Sequence, residues 1–181
     1  GDEAGVTRIE QRINLASDFY LFDTPGMLWP KIHVEKSGYH LAASGAVGRN
    51  AYDEEEVALE LANSLKGPYP HLLAARYKLD DIEAIPAMHD DALLTEIGRK
   101  RGAVISGGRV NMQKAAEVLI NDFRSSIMGR ITLETPAQFE AWCAAAEAAE
   151  AEKQAKKLAR QKAAKRGTRD AQPDDDTDLE D

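Results

Sequence analysis

The pattern of apolar and polar positions changes once along the chain. Between residues 6 and 18 single aliphatic residues punctuate polar ones, and an aromatic-rich run then ends at Asp23. This spacing is typical of extended chain, so we expect two strands and a turn. After Pro30 the apolar residues recur every three or four positions, which predicts helices.

Capping residues and stop signals predict where several of these helices begin and end. Asp53 precedes an acidic first turn, which the helix dipole favours, and Gly67 stops that helix. Asn111 can cap the helix with the most regular apolar face, and Thr135 is followed by proline at the first helical position. The expected helices cover residues 53–66, 69–77, 87–100, 111–128 and 135–166.

The formal net charge of -8 argues against a nucleic-acid partner when it is taken as an average. Its distribution changes that picture, because residues 97–130 contain seven basic and two acidic side chains and residues 153–169 contain eight basic and none acidic. The acidic excess lies in residues 50–96 and in the last twelve residues, which we interpret as a solvated tail.

Other features of the sequence narrow the class of protein. The single cysteine excludes an intramolecular disulfide and favours a reducing, cytoplasmic setting. No stretch approaches the length of a membrane span, and the acidic start is unlike a secretory signal. The four histidines lack metal-binding spacing, so we expect them to have surface or packing roles.

The motif with the clearest chemistry is the turn Asp23-Thr24-Pro25-Gly26, which has the form D-x-x-G. Nucleoside triphosphatases use this pattern beside the γ-phosphate, where the aspartate supports Mg²⁺ and the glycine lets a backbone N–H approach the phosphate. The four residues alone fit an ordinary β-turn equally well. Their neighbours decide between the two interpretations.

Several separated motifs resemble the ribosome biogenesis GTPase A group of circularly permuted GTPases. Gly5-Val6-Thr7 lies upstream of the turn, and Met27-Leu28-Trp29-Pro30-Lys31 follows it. Stretches similar to the family also occur at 97–102, 106–108 and 129–132. The resemblance covers about residues 1–136 with the motifs in the family's order, and it leaves out the final helix and tail.

The resemblance implies roles for the residues of the first segment. Thr7 would be the switch I ligand of Mg²⁺, Asp23 a second contact of the metal, and Gly26 the N–H donor to the γ-phosphate of GTP, with Thr24 and Pro25 in the same nucleotide-binding turn. Met27 stands where many GTPases have a water-orienting glutamine, and its side chain cannot polarise water. The remaining catalytic groups would come from another part of the protein, from a monovalent cation or from ribosomal RNA.

The chain contains neither a G-x-x-x-x-G-K-[ST] phosphate loop nor an Asn-Lys-x-Asp guanine-reading motif. In the permuted family these motifs precede the switch regions, so we expect this chain to be the C-terminal part of such a GTPase and to be inactive alone. The expected fold class is α+β, with a two-strand switch-region remnant of a P-loop α/β GTPase domain followed by an all-α bundle. The expected divisions are a partial GTPase domain (1–34), a helical RNA-binding domain (35–135), a long charged helix (136–166) and a disordered acidic tail (167–181).

In the family the domain after the switch regions binds ribosomal RNA, and the local charge agrees with that role. Glycines next to the basic residues permit close approach to a phosphate backbone. We do not expect aromatic residues to be interleaved with these charges, so we predict recognition of shape and phosphate without base stacking. The candidate RNA-binding residues are Arg99, Lys100, Arg101, Arg109, Lys114, Arg124 and Arg130.

Two further possibilities stay open at the level of sequence. The basic segment 153–169 is suited either to nonspecific RNA contact or to pairing with the acidic tail, which would then compete with RNA. The chain as a whole is expected to belong to a GTPase that matures the precursor of the large ribosomal subunit. The alternative is an RNA-binding or protein-interaction module without nucleotide chemistry.

Overall fold

The computed structural model describes residues 11–23 and 32–169, with the backbone alone at Gln11, Asp23 and 162–169. In these residues a two-stranded antiparallel sheet is followed by helices, which confirms the α+β class. The chain divides into two compact units on either side of the bond between Thr135 and Pro136. The units are described separately below.

The first element is a β-hairpin made of β1 (Gln11–Ala16) and β2 (Phe19–Asp23). Ile13 lies opposite Leu21, and the register shifts between Asn14 and Ala16. Leu21 and Phe22, which point to opposite faces, are 52% and 51% exposed. The hairpin therefore presents apolar side chains on both of its faces.

Helical structure begins at residue 35, close to the predicted start of the helical segment. Two short 3-10 turns, Arg49–Ala51 and Ile85–Ala87, interrupt the connections. The α-helices of the first unit are α1 (Glu35–Ser44), α2 (Glu54–Lys66), α3 (Pro70–Tyr77), α4 (Asp90–Lys100) and α5 (Met112–Arg124).

Two predicted helix ends were wrong. The helix expected from residue 87 begins at Asp90, because Met88 has extended backbone after the 3-10 turn. The helix expected to continue to Gly129 ends at Arg124, and Ser126 has a positive φ of 56°. A helix cannot pass through that left-handed conformation.

Two of the predicted caps, Asp53 and Asn111, are confirmed. The Asp53 carboxylate accepts hydrogen bonds from the backbone N–H groups of Glu55 and Glu56 at 2.8 and 3.0 Å. The Asn111 side chain accepts one from the N–H of Lys114 at 3.0 Å. Each cap satisfies N–H groups that have no partner inside the helix.

The core of the first unit lies among α1, α2, α4 and α5. Its side chains recur at helical spacing and are fully buried; they include Leu61, Leu65, Leu93, Ile97 and Leu119. This packing fixes α4 and α5, the two helices that carry most of the predicted RNA-binding residues.

The second unit contains one helix, α6 (Pro136–Arg169). Its side chains from Ala144 to Gln161 are almost all exposed, and Leu158 is 53% exposed. No helix in the described part of the chain is apolar and long enough to cross a membrane.

Candidate nucleic-acid interface

The predicted nucleotide-binding turn begins at the last residue of β2. Asp23 pairs with Gln11 at the open end of the hairpin. Thr7, Thr24, Pro25 and Gly26 lie outside the described residues, so their predicted roles stay predictions. In the described residues no group of three or more His, Cys, Asp or Glu side chains could hold a metal ion.

We call residues 99–114 the α4–α5 corner. It comprises the end of α4, a small hairpin between the two helices and the first turn of α5. Val104 pairs with Val110, the N–H of Ile105 donates to the Arg109 carbonyl at 2.8 Å, and the N–H of Asn111 donates to Ala103 at 2.8 Å. Gly107 and Gly108 have φ values of 84° and 75°, which glycine adopts without steric cost. The corner thus connects the end of α4 to the start of α5.

Four of the predicted residues belong to the outer surface of this corner. Arg109 and Lys114 are exposed, and neither forms an ion pair with any residue that the structure describes. Arg99 is 3.4 Å from Glu96, and Lys100 is 3.1 Å from the highly exposed Asp80. Exposed pairs of this kind contribute only about 0–1 kcal/mol, so a phosphate can replace the carboxylate.

Arg101 is exposed as well, but its guanidinium contacts Asp122 on α5. Its Nη2 atom lies 3.4 Å from Oδ2 of Asp122, whose two oxygens also accept hydrogen bonds from Nε and Nη2 of Arg76 at 2.8 and 2.7 Å. Burial would raise the pKa of the Asp122 carboxyl, but the hydrogen bond and charge of Arg76 and the charge of Arg101 outweigh it. The pKa therefore lies below its usual value, and Asp122 neutralises part of the Arg101 charge.

Arg124 contacts the C-terminal turn of α1. Its Nε donates to the carbonyl of Ala43 at 2.9 Å, and its Nη2 donates to Ala42 at 2.7 Å and to the Tyr52 hydroxyl at 2.9 Å. The last carbonyls of a helix lack partners within it and carry negative partial charge. Arg124 thus caps α1 from another part of the chain, a structural role that its sequence context did not predict.

Arg130 lies in the loop that follows α5 and is exposed. Together with Arg124 it lines a cleft that also contains Phe123 and Ile131. Lys114 and Arg124 are ten residues apart on α5, about 15 Å along the helix axis. The seven predicted residues therefore do not form one continuous patch: four have their charge available on the outer surface of the corner, Arg101 of the same corner pairs with Asp122, and two line the cleft.

Sequence reasoning missed the residues that hold this arrangement in place. Arg76 and Asp122 are 46 residues apart, and Arg124 and Ala42 are 82 apart. A second polar network, which joins buried His40 to Glu134 at 3.0 Å and to Ser64 at 3.1 Å, is equally long-range. The packing role expected for the histidines is confirmed at His40.

Comparison with known proteins finds relatives with a consistent name. No family model matches the chain. Ribosome biogenesis GTPase A of Bacillus licheniformis is 39% identical over 137 residues, which are 75% of this chain and 47% of that protein. The protein of the same name from Bacillus cereus is 34% identical over 140 residues, or 77% of this chain and 46% of that protein.

A eukaryotic relative has lower identity. Nuclear GTP-binding protein NUG1 of Saccharomyces cerevisiae is 28% identical over 160 residues, with 76% of this chain and 28% of that protein covered. The chain spans about half the length of the bacterial relatives it matches. Over that shared part, the chain is similar to proteins named ribosome biogenesis GTPase A, which confirms the resemblance of the sequence motifs to that family.

Proposed function

We propose that this chain supplies the ribosomal RNA-binding part of a GTPase that acts in maturation of the large ribosomal subunit. The observation that carries the proposal is the α4–α5 corner, where Arg109 and Lys114 are exposed and have no carboxylate partner among the described residues of a protein with net charge -8. Cations concentrated at one place attract phosphates, while the acidic residues elsewhere disfavour other orientations of the RNA. The names of the bacterial relatives support a role in ribosome biogenesis.

The proposal assigns GTP and Mg²⁺ to the intact protein. Thr7 and Asp23 would hold the metal, and the turn from Thr24 to Gly26 would bind the γ-phosphate. GTPase names among the relatives support this assignment. The exposed apolar faces of the β-hairpin also support it, because strands with apolar residues on both faces are typical of the interior of an α/β sheet.

RNA binding is tested with the double variant Arg109→Ala/Lys114→Ala. Each lost phosphate contact should reduce the salt slope of log Kd by about 1 and weaken binding at low salt. The measurement is a titration of ribosomal RNA fragments at several salt concentrations. The control variant, Lys36→Ala/Arg49→Ala, also removes two positive charges, one from α1 and one from the first 3-10 turn.

Equal losses in the two double variants would show that only net charge matters and would contradict a site at the corner. The variant Lys100→Ala extends the test to the end of α4. Arg101→Ala is less suitable, because it also disturbs the contact with Asp122.

Nucleotide chemistry is tested separately with a fluorescent GTP analogue. We expect the 181-residue chain to show no measurable binding, because its sequence has no phosphate loop. Micromolar binding would contradict the assignment of the phosphate-loop function to another part of the protein. If the intact parent protein also failed to bind GTP, the alternative of an RNA-binding module without nucleotide chemistry would be favoured.

A further inference from the structure

The cleft at the C-terminal end of α5 has a volume of about 510 Å³. This is within the range of about 300–1,000 Å³ that small-molecule sites occupy. Its walls combine three kinds of group: two arginines, two serines and two apolar side chains. The residues are Arg124, Arg130, Ser44, Ser126, Phe123 and Ile131.

The charge of this cleft favours an anion. It is lined by two guanidinium groups and by no carboxylate. Arg124 is held in place by the carbonyls of α1, and these bonds use Nε and Nη2. Its Nη1 atom has no hydrogen-bond acceptor in the part of the chain that the structure describes. Arg130 adds a second, exposed charge at the opening.

The apolar walls distinguish this cleft from the α4–α5 corner. Phe123 and Ile131 are both half-buried, so part of each side chain remains accessible from the cleft. An aromatic ring beside an aliphatic side chain offers a surface on which a nucleobase can stack, with a contribution of about 1–3 kcal/mol per base. The prediction that stacking has no part in recognition left out Phe123, which precedes Arg124 in the sequence and lines this cleft.

The loop between α5 and α6 contains a left-handed backbone conformation at Ser126, which costs conformational free energy. Ser126 has a φ of 56° and Gly129 a φ of 113°, and the N–H of Gly129 donates to the Ser126 carbonyl at 3.1 Å. A non-glycine residue in the left-handed region costs about 1–2 kcal/mol. This loop places the Ser126 side chain and Arg130 on the wall of the cleft.

We propose that the cleft binds one unpaired nucleotide of a single-stranded RNA segment. The phosphate contacts Arg130 and Nη1 of Arg124, and the base stacks against Phe123 and Ile131. The Ser126 hydroxyl is available to the sugar, whereas the Ser44 hydroxyl already donates to the Leu41 carbonyl and can only accept. The RNA origin of the nucleotide rests on the function proposed above. The corner would contact the backbone of the same RNA, and the cleft would read a base that is free of pairing.

The first experiment follows amide chemical shifts of the whole chain by NMR during titration with AMP, adenosine or inorganic phosphate. We expect AMP to shift the amide signals of Ser126, Gly129 and Ile131 more than adenosine alone or inorganic phosphate alone does. The shifts should weaken in Arg130→Ala and persist in Arg109→Ala, which removes a charge outside the cleft. Absence of these shifts at about 10 mM AMP, or equal shifts with phosphate alone, would overturn the proposal.

The second experiment compares a single-stranded RNA oligomer with a duplex of the same strand. Arg130→Ala should weaken single-strand binding about tenfold and leave duplex binding within about twofold, since only an unpaired base can enter the cleft. Equal losses for the two forms would overturn the cleft assignment while the proposed RNA-binding function stands. If the wild-type chain binds neither RNA but still binds AMP, the proposed function fails and the occupant is a free nucleotide, which also overturns the RNA assignment.

Discussion

A Cβ atom on Gly98 would lie 2.5 Å from Cγ1 of Val110, closer than side chains can approach. The same atom would be 2.9 Å from Cβ of Ala115. Gly98 is fully enclosed where α4 passes the start of α5, so the absence of a side chain sets the spacing of these helices. That contact also holds the base of the α4–α5 corner.

Substitution Gly98→Ala should therefore destabilise the protein by about 1–3 kcal/mol, the usual cost of overpacking a core. The free energy of unfolding in urea measures it. Gly67→Ala is the matched control, because no atom lies within 4 Å of its added Cβ and its φ is -79°. The control should change stability by about 0.5 kcal/mol or less. A Gly98→Ala variant as stable as this control would contradict the close contact.

The bonds from Arg124 to α1 should stabilise the fold independently of RNA. Arg124→Met keeps the aliphatic part of the side chain and removes its donors, so the Ala43 carbonyl and the Tyr52 hydroxyl lose the bonds from Arg124 and the Ala42 carbonyl keeps only the bond from the N–H of Gly45. We expect a loss of about 1.5–3 kcal/mol, measured by urea unfolding. Lys114→Met removes an exposed charge from the same helix and should change stability by about 0.5 kcal/mol or less. Equal stability of the two variants would argue against a capping role for Arg124.

The Arg76–Asp122 pair makes stability depend on pH. The pKa of Asp122 is lower in the folded protein than in the unfolded chain. The ionised carboxylate therefore contributes fully to the free energy of unfolding above the unfolded pKa of about 3.9, and this contribution is lost as the pH falls toward the folded pKa. Asp122→Asn should cost about 1.5–3 kcal/mol at pH 7, since it weakens hydrogen bonds to a charged group. The difference from wild type should shrink below about pH 4.

Unfolding free energies of Asp122→Asn and wild type at a series of pH values provide this measurement. Asp80→Asn serves as the control, because Asp80 pairs with Lys100 but its side chain is 94% exposed. The control should lie within about 0.5 kcal/mol of wild type throughout. A constant difference between Asp122→Asn and wild type from pH 7 to pH 3 would show that the charge of Asp122 is not what stabilises the pair.

The sequence predicts features that depend on neighbouring residues better than those that depend on distant ones. The caps at Asp53 and Asn111 are local, because a side chain bonds the backbone two or three residues later. The helix expected from residue 87 was extended too far because Met88 continues the apolar spacing while its backbone is extended. Periodicity reports which residues are apolar and carries less information about individual backbone angles.

The candidate site also combines features that the sequence predicts with features that depend on distant residues. A count of basic residues correctly identifies a region rich in charge, but it cannot tell which charges are paired with a carboxylate. Arg101 and Arg109 are both arginines of the same basic segment, and the sequence gives no reason to distinguish them. In the structure Arg101 pairs with Asp122, whereas Arg109 has no ion-pair partner in the described residues. Such differences arise from packing between helices that are far apart in the chain, so they become visible only in three dimensions.

The basic part of α6 provides the last prediction. Lys153, Lys156, Lys157 and Arg160 are exposed, and the sequence that follows has seven acidic side chains in residues 170–181. If the acidic segment competes with RNA for this helix, deletion of 170–181 should increase RNA affinity about threefold or more at low salt, with a smaller gain at high salt. Fluorescence titrations at two salt concentrations measure the change. Replacement of Asp174, Asp175 and Asp176 by asparagine should give part of the same gain without shortening the chain, because it removes charge alone. RNA affinity that is unchanged at fixed low salt would eliminate this form of autoinhibition and leave α6 as a nonspecific RNA contact.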